Sequence, residues 1–390
     1  MLVGKLFIHN TTIHSENGVI DHGSLLLENG RIAQIYPEAP AVFPKDAHFI
    51  DGHGWHAIPG FIDGHIHGAN GADVMDATEE AFDTMAGVLP EEGTTCFLAT
   101  TITQSPEAIE QALATTASYR TKAGHAEMAG VHLEGPFIDG ERAGAQPVEH
   151  IIKPDISLFR KWQKLSGGRI KTVTLAPEHD LDGEFIRALV RDGVNVSAGH
   201  TGTDFAGMKR AAEAGVRQVT HLCNAMSGIH HRDIGVVGAV FLMKELRAEL
   251  IADGIHVAPE MLELIYRNAG AERLMLITDA MRAKCLPAGD YDLGGQPVRV
   301  ADDRAVLEDG TLAGSILKLK DGAKRMHGLD GVSMEDIIQM ASVNPAKQIG
   351  LFDRKGSIAA GKDADILLVD DGLDVKYTIC RGVVGYQGGG

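Results

Sequence analysis

The sequence contains few cysteines and no long apolar segment. Its four cysteines lie far apart and form no Cys-x-x-Cys pair, so neither a disulfide framework nor a thiolate zinc site is expected. The longest apolar run, Gly235 to Met243, is too short to cross a bilayer. Residues 1–18 contain no secretory apolar core. We therefore expect a cytoplasmic protein with no membrane partner.

Basic residues are also scarce. The 36 lysines and arginines are outnumbered by 53 aspartates and glutamates, which gives a net charge of −17. This balance disfavours nucleic acid and anionic membranes as partners, and an anionic substrate would need a local basic patch. Histidine, in contrast, is abundant at 18 residues, a mild hint of metal chemistry.

Short strand-like segments separated by Asn-Gly and Asp-Gly turn signals occupy both ends of the chain. We expect a small β-sandwich domain built from residues 1–57 and 353–390, with a catalytic domain, residues 58–352, inserted between the two parts. The predicted terminal strands are Leu6–Ile8, Ser24–Leu27, Arg31–Ile35, Asp365–Val369 and Val375–Ile379.

Between these parts, apolar strands alternate with helical segments, which is typical of a parallel α/β sheet. Eight strands favour a (β/α)8 TIM-like barrel with its active site at the carboxyl ends of the strands; a flavodoxin-like open sheet is the structural alternative. Turn-rich Tyr291–Ala313 is expected to be an excursion near the last barrel loop. The predicted strands are Ala57–Asp63, Thr95–Thr100, Ala129–Leu133, Lys171–Ala176, Val194–Ala198, Gln218–Thr220, Ala248–Ala252 and Leu274–Thr278; the predicted helices include Glu79–Glu91, Pro106–Arg120, Leu181–Arg191 and Asp204–Ala214.

Histidines and carboxylates follow these strands directly. In an extended strand residues i and i+2 point the same way, so His65 and His67 can aim at one point. A lone histidine at a strand end is more often a structural residue, but seven such positions on one barrel face predict a metal site. The other five positions are Glu134, His200, His221, His256 and Asp279.

The chemistry of these groups suggests how the ligands divide. His65, His67 and Asp279 suit one ion, and Glu134 can give one oxygen to each of two ions. The second ion is expected on His200 and His221. Imidazole with carboxylate suits zinc or iron, so we expect up to two divalent transition-metal ions. Asp279 is then the best candidate for the general base.

The His-x-His pair after the first strand and the aspartate after the eighth resemble the amidohydrolase superfamily. Four finer motifs, spread over essentially the whole chain, look like those of the N-acetylglucosamine-6-phosphate deacetylase family. That family has Glu134 where other superfamily members carry a carboxylated lysine after the fourth strand, and Ala176-Pro177-Glu178 indeed contains no lysine. Because both first histidines are present, the chain resembles the two-metal branch. The four motifs are Pro59–Asp63, His132–Pro136, Thr220–Met226 and Leu312–Ser315.

The resemblance implies metal-assisted deacetylation of N-acetylglucosamine 6-phosphate to glucosamine 6-phosphate and acetate. It implies Asp279 as the base and His256 as a group near the oxyanion. It further implies a homodimer in which Arg232, eleven residues beyond His221, reaches the sugar phosphate in the neighbouring subunit's site. The implied substrate contacts are Ala145, Asn224, Ala225, Arg232, His256, Leu312, Ala313, Gly314 and Ser315.

Several alternatives stay open. The same chemistry could act on N-acetylgalactosamine 6-phosphate, which differs at one hydroxyl. Another cyclic-amide or aminoacyl hydrolase is disfavoured by the missing lysine and by Arg232, although the segment His230–Arg232 could also be a solvated turn. A catalytically silent scaffold would normally have lost ligands, and all of them are present here.

Overall fold

The computed structural model describes residues 4–38, 40, 42 and 44–389. In the N-terminal part, the described residues form strands and no helix. The turn between its second and third strands has positive φ at Asn29 (53°) and Gly30 (76°), the backbone that a type I′ hairpin turn needs and that Asn-Gly supplies. The strands are β1 Lys5–Ser15, β2 Gly18–Glu28, β3 Arg31–Tyr36, β4 Ala47–Asp51 and β5 His56–Pro59.

Eight parallel strands follow in the order expected for a barrel, which confirms the (β/α)8 prediction. Each pairs with the next along the chain. All eight residues of the second barrel strand are buried, as expected for a strand covered on both faces. The barrel strands are β6 Phe61–Ile66, β9 Thr94–Thr101, β10 Glu127–Glu134, β11 Ile170–Leu175, β12 Asn195–Ala198, β13 Gln218–Val219, β14 Arg247–Ile251 and β15 Leu274–Ile277; a small pair, β7 Gly68–Ala69 and β8 Ala72–Asp73, follows the first.

The predicted first barrel strand, Ala57–Asp63, is wrong in one respect. Its first half belongs to β5, which pairs with β1 in the terminal sheet, and only its second half enters the barrel. The chain changes sheets at Gly60, where a Cβ atom would lie 2.1 Å from the hydroxyl oxygen of Thr95. A side chain at this crossing is therefore excluded.

Helices cover the outside of the barrel, and no helix in the described part of the chain is long and apolar enough to cross a membrane. The predicted helix Leu181–Arg191 begins later, at Glu184, because Gly183 has a φ of +70° and the Asp180 carboxylate accepts the amides of the first turn. The helices are α1 Glu79–Val88, α2 Pro106–Ser118, α3 Ile156–Leu165, α4 Glu184–Arg191, α5 Phe205–Ala214, α6 Gly235–Leu242, α7 Pro259–Ala269, α8 Leu319–His327, α9 Met334–Ile338 and α10 Asn344–Gln348.

The expected excursion after the last barrel strand is a three-stranded antiparallel sheet: β16 Gly289–Leu293, β17 Gln296–Ala301 and β18 Arg304–Val306. Its buried face packs on Ile102 and Met281, next to the barrel mouth.

The last three strands return to the terminal sheet. They are β19 Ile366–Val369, β20 Val375–Cys380 and β21 Val383–Gln387, of which β21 had not been predicted. The sheet order is β21-β20-β19-β5-β1-β2-β3, with β4 also beside β1. Strands from both ends of the chain thus share one sheet, as predicted for the small domain; the exact domain limits stay a prediction.

Candidate metal centre and active site

The six predicted metal ligands meet at the carboxyl ends of the barrel strands. They form two groups, and within each group all ligand atoms lie within 4.8 Å of one another. The first group is His65, His67 and Asp279; the second group is Glu134, His200 and His221.

In the first group both imidazoles present Nε2 to the same carboxylate oxygen. Asp279 Oδ1 lies 3.4 Å from His65 Nε2 and 3.2 Å from His67 Nε2. The two nitrogens are 3.4 Å apart. The geometry matches the expectation that the i and i+2 residues of a strand aim at one point.

In the second group Glu134 is the central residue. Its Oε1 lies 3.2 Å from His200 Nε2 and 3.1 Å from His221 Nε2. Its Oε2 lies 3.2 Å from His67 Nε2, a member of the first group. Its Oε1 also lies 3.4 Å from His65 Nε2, so Glu134 contacts the imidazoles of both groups, as a bridging carboxylate requires.

Hydrogen bonds on the far side of three imidazoles fix their orientation. His65 Nδ1 lies 3.0 Å from Glu249 Oε2 on β14. His67 and His200 place Nδ1 against the backbone oxygens of Thr100 and Arg142, at 3.1 and 2.9 Å. An Nδ1 hydrogen on each ring leaves Nε2 free as a ligand, the usual arrangement at protein metal sites. His65 and Glu249 also form a third cluster with His132, on this outer side.

The sequence analysis missed Glu249 and Gln146. Gln146 is buried, donates from Nε2 to Glu134 Oε2 at 2.8 Å and accepts the amide of Thr103 at 2.7 Å. Gln146 contacts a ligand 12 residues before it, whereas Glu249 contacts a ligand 184 residues before it. For Glu249 the available signal was a carboxylate inside an otherwise apolar strand.

Three of the ligand residues have a left-handed backbone. The φ angles are 48° for His200, 28° for His221 and 50° for Asp279. Non-glycine residues in this region cost on the order of 1–3 kcal/mol each and cluster at functional sites. Each of the three is the second residue after a barrel strand, so the left-handed backbone occurs at the same place in all three loops.

The charges in the two groups are strongly coupled. Burial would lower the pKa of His67, but hydrogen bonds to Asp279 and Glu134 outweigh it and raise the pKa to about 9. Burial would raise the pKa of Asp279, yet the charge of His65 and the hydrogen bond from His67 hold it at about 2. Without a metal, protons on imidazole must therefore balance the buried carboxylates. A divalent cation can replace those protons, so this donor set fits a metal.

A cavity of about 320 Å³ opens above the two groups. Of the predicted substrate residues, six line it: Ala145, Asn224, Ala225, His256, Leu312 and Gly314.

Three predicted substrate contacts are not brought to the cavity wall. Ala313 is fully buried in the cluster beneath the excursion sheet. The Ser315 hydroxyl donates to the backbone oxygen of Thr278 at 2.5 Å. Arg232 is exposed on the segment before α6, with its guanidinium 2.6 Å from His231 Nε2. The cavity instead contains the guanidinium-bearing residue Arg142, which the sequence analysis had not selected.

His256 is held by a carboxylate that the sequence analysis also missed. Its Nδ1 lies 2.6 Å from Asp253 Oδ2, and Asp253 Oδ1 accepts the amides of Ile255 and His256. Burial would raise the pKa of Asp253, but the hydrogen bond and charge of His256 lower it. Because Asp253 accepts the Nδ1 hydrogen, Nε2 is the ring nitrogen that remains available for another partner.

A TIM barrel with two histidine and carboxylate groups at its mouth defines a metal-dependent hydrolase. Consistent with this class, the model of the amidohydrolase family matches residues 57–385. The chain belongs to the amidohydrolase family, as its motifs indicated.

Named relatives refine the placement. N-acetylglucosamine-6-phosphate deacetylase of Bacillus subtilis is 46% identical over 98% of this chain and 97% of its own. N-acetylgalactosamine-6-phosphate deacetylase of Escherichia coli O157:H7 is 35% identical over 94% of this chain and 96% of its own.

Solved structures agree with the sequence relatives. N-acetylglucosamine-6-phosphate deacetylase of Thermotoga maritima superposes with a TM-score of 0.86 at 33% identity, covering 98% of this chain and 100% of that one. A mutant of the Mycobacterium smegmatis enzyme, in complex with N-acetyl-D-glucosamine 6-phosphate, gives a TM-score of 0.89 at 28% identity, with the same coverage.

Proposed function

We propose that this chain hydrolyses the acetamido group of N-acetyl-D-glucosamine 6-phosphate, releasing D-glucosamine 6-phosphate and acetate. The observation that carries the proposal is Glu134, which stands between the two ligand groups, while β11 is followed by Ala176 and Pro177 and not by a lysine. This ligand set accompanies 46% identity to a deacetylase of that name.

The two groups would hold a divalent metal, with Glu134 shared between them. We propose zinc or iron and up to two ions per chain, since imidazole and carboxylate suit either metal. When bound, such ions polarise the amide carbonyl and lower the pKa of an attacking water.

The residues of this chain supply the proton transfers. Asp279, whose low pKa keeps it ionised at neutral pH, accepts a proton as water attacks the carbonyl carbon. It returns that proton to the nitrogen as the carbon–nitrogen bond breaks, so the amine leaves neutral. His256, steadied by Asp253, lies in the cavity wall and stabilises the oxyanion. Ala145 and Leu312 border the sugar, and the backbone of Asn224 and Ala225 binds the sugar phosphate.

The phosphate needs cationic partners in an acidic protein. We propose that Arg232 provides one in trans within a homodimer, because it is exposed and lies outside its own chain's cavity. Arg142 is a cationic group available in cis. We also propose that the protein is located in the cytoplasm.

The experiment is an acetate-release assay on metal-loaded protein with the glucosamine and galactosamine substrates side by side. The proposal requires acetate from N-acetylglucosamine 6-phosphate with a higher kcat/KM than from its galactose isomer. A preference for the isomer would support the runner-up function, to which the E. coli relative points. No acetate from either substrate, with ions bound, would refute deacetylation.

A further inference from the structure

The barrel has a seam between its first and last strands. Within the described residues no ladder of hydrogen bonds joins β6 to β15, although every other neighbouring pair of barrel strands has one. Among the described residues, backbone bonds cross only at the mouth: the Asp279 amide donates to His65 O at 2.9 Å, and the amides of His67 and Gly68 donate to Ala280 O at 2.9 and 3.0 Å. Below the mouth, side chains must connect the two strands.

Asp63 makes that connection. Its side chain is fully buried, and it forms no ion pair among the described residues. Oδ1 accepts the amides of His65 at 3.2 Å and Thr278 at 3.3 Å. Oδ2 accepts the Thr278 hydroxyl at 2.5 Å. The carboxylate thus binds β6 to the residue that follows β15.

The first ligand group lies across this seam. His65 lies on β6 and His67 directly follows that strand, whereas Asp279 is the second residue after β15. The second group extends instead from β10, β12 and β13, which belong to a continuous stretch of ladders. The spacing of the first group therefore depends on a few backbone bonds at the mouth and on the Asp63 side chain below them, whereas the spacing of the second group is supported by ladders along whole strands.

We infer that Asp63 and Thr278 are positioning residues whose hydrogen bonds join the two strands at the seam. By holding these strands together they set the metal affinity of the first group, but not of the second. Each is adjacent to the ligands rather than among them: Thr278 directly precedes Asp279, and Asp63 accepts the backbone amide of His65. A metal ion in the first group would in turn join the two seam strands. The inference rests on the metal sites of the proposed function, but not on the substrate.

The test compares Thr278→Val, which removes the hydroxyl at nearly constant shape, with Thr278→Ser, which keeps it. Thr220→Val is the matched control: Thr220 directly precedes the second-group ligand His221, and its hydroxyl bonds Thr174 at 2.7 Å inside the continuous sheet. Metal-free chains are titrated with zinc against a chromophoric chelator, and bound ions are counted by elemental analysis. Circular dichroism establishes that each variant is folded.

We expect Thr278→Val to weaken the first zinc site by about tenfold or more, the range for removing a partner that orients a ligand. The second site should shift less than about threefold, and Thr278→Ser should behave as wild type, because serine keeps the hydroxyl that donates to Asp63 and accepts the Ala280 amide. Thr220→Val should leave the first site unchanged. The double variant His65→Asn with His67→Asn identifies which titration step belongs to the first group.

Equal weakening of both sites by Thr278→Val would overturn the inference, since it would indicate general destabilisation. An unchanged first site in a folded Thr278→Val chain would overturn it as well, and so would a wild-type chain that binds no ion in the first group. Two intact sites in a chain that releases no acetate would refute the proposed function alone, because the readout here is ion affinity.

Discussion

Replacing Glu249 by glutamine tests how far a buried carboxylate outside the two ligand groups controls the metal site. Glu249 is 2% exposed and accepts hydrogen bonds from both directions. Its Oε1 accepts Gln218 Nε2 at 2.5 Å, and its Oε2 faces His65 Nδ1 at 3.0 Å. A glutamine of the same shape has one acceptor and one donor end, so it cannot accept both bonds.

Neither His65 nor Gln218 can adjust to the glutamine without a cost in free energy. If the new amide oxygen faces Gln218, the amide hydrogens face His65 Nδ1 and push the imidazole hydrogen to Nε2, the ligand atom. If Gln218 turns its amide over instead, it loses the bond that Asn195 Nδ2 donates to it at 2.7 Å. In the first case the backbone amide of His221, which donates to Oε2 at 3.3 Å, also loses its acceptor. In either case one buried polar group loses its partner, at a cost of about 1–3 kcal/mol. That corresponds to a metal affinity of the first group lower by about 5- to 150-fold.

The measurement is a competition titration of metal-free protein with zinc, for wild type and for Glu249→Gln. Glu110→Gln is the control, because Glu110 is a carboxylate on α2 that accepts the Trp162 indole at 3.1 Å away from the metal groups. An unchanged zinc affinity in a folded Glu249→Gln chain would refute the reasoning, and so would an equal loss in the control.

Four further predictions follow from the site. Asp279→Asn should lower kcat about 100-fold or more with a smaller effect on KM; metal content is measured on the variant, and near-normal kcat would exclude Asp279 as the base. His65→Asn with His67→Asn should reduce the bound ions from two towards one, read by elemental analysis, while the circular dichroism spectrum stays that of a folded barrel. The raised pKa of His67, about 9 in the metal-free fold, contributes stability that is fully present below its ordinary pKa of about 6.5 and is lost as pH rises through about 9. The melting temperature of metal-free protein should therefore fall over that window, whereas the double asparagine variant should lack the fall. Mixing Arg232→Ala chains with Asp279→Asn chains, with subunit exchange verified by two tags, should restore about a quarter of wild-type activity at low substrate; no recovery would exclude Arg232 in trans.

The metal ligands could be predicted because each lies at the carboxyl end of its strand or one or two residues beyond it, and parallel strands of a barrel carry their carboxyl ends to one face. His65 and His67 needed only the two-residue period of a strand. Their outer partners could not be predicted in this way. Glu249 meets His65 across 184 residues, and nothing in the sequence around Glu249 specifies that contact.

Element boundaries failed where tertiary contacts decide them. The apolar run from Ala57 to Asp63 continues through Gly60, so its pattern does not show that the chain changes sheets there. The reason is the close approach of Thr95, a contact between two strands. The observed start of α4 differs from the predicted start for a similar reason. The carboxylate of Asp180, which lies before the periodic segment, accepts the amides of the first turn.

The pairing of β19 with β5 has a consequence for synthesis of the chain. Pro59 pairs with Ile366, so 366 − 59 = 307 residues separate the two partners. At about 5–20 residues per second, a ribosome needs about 15–60 s to add them. During that time one edge of β5 has no strand beside it, and unpaired edges are templates for aggregation. The whole barrel is thus synthesised before the last strands pair with β5. In a cell, chaperones would naturally bind the chain during that interval.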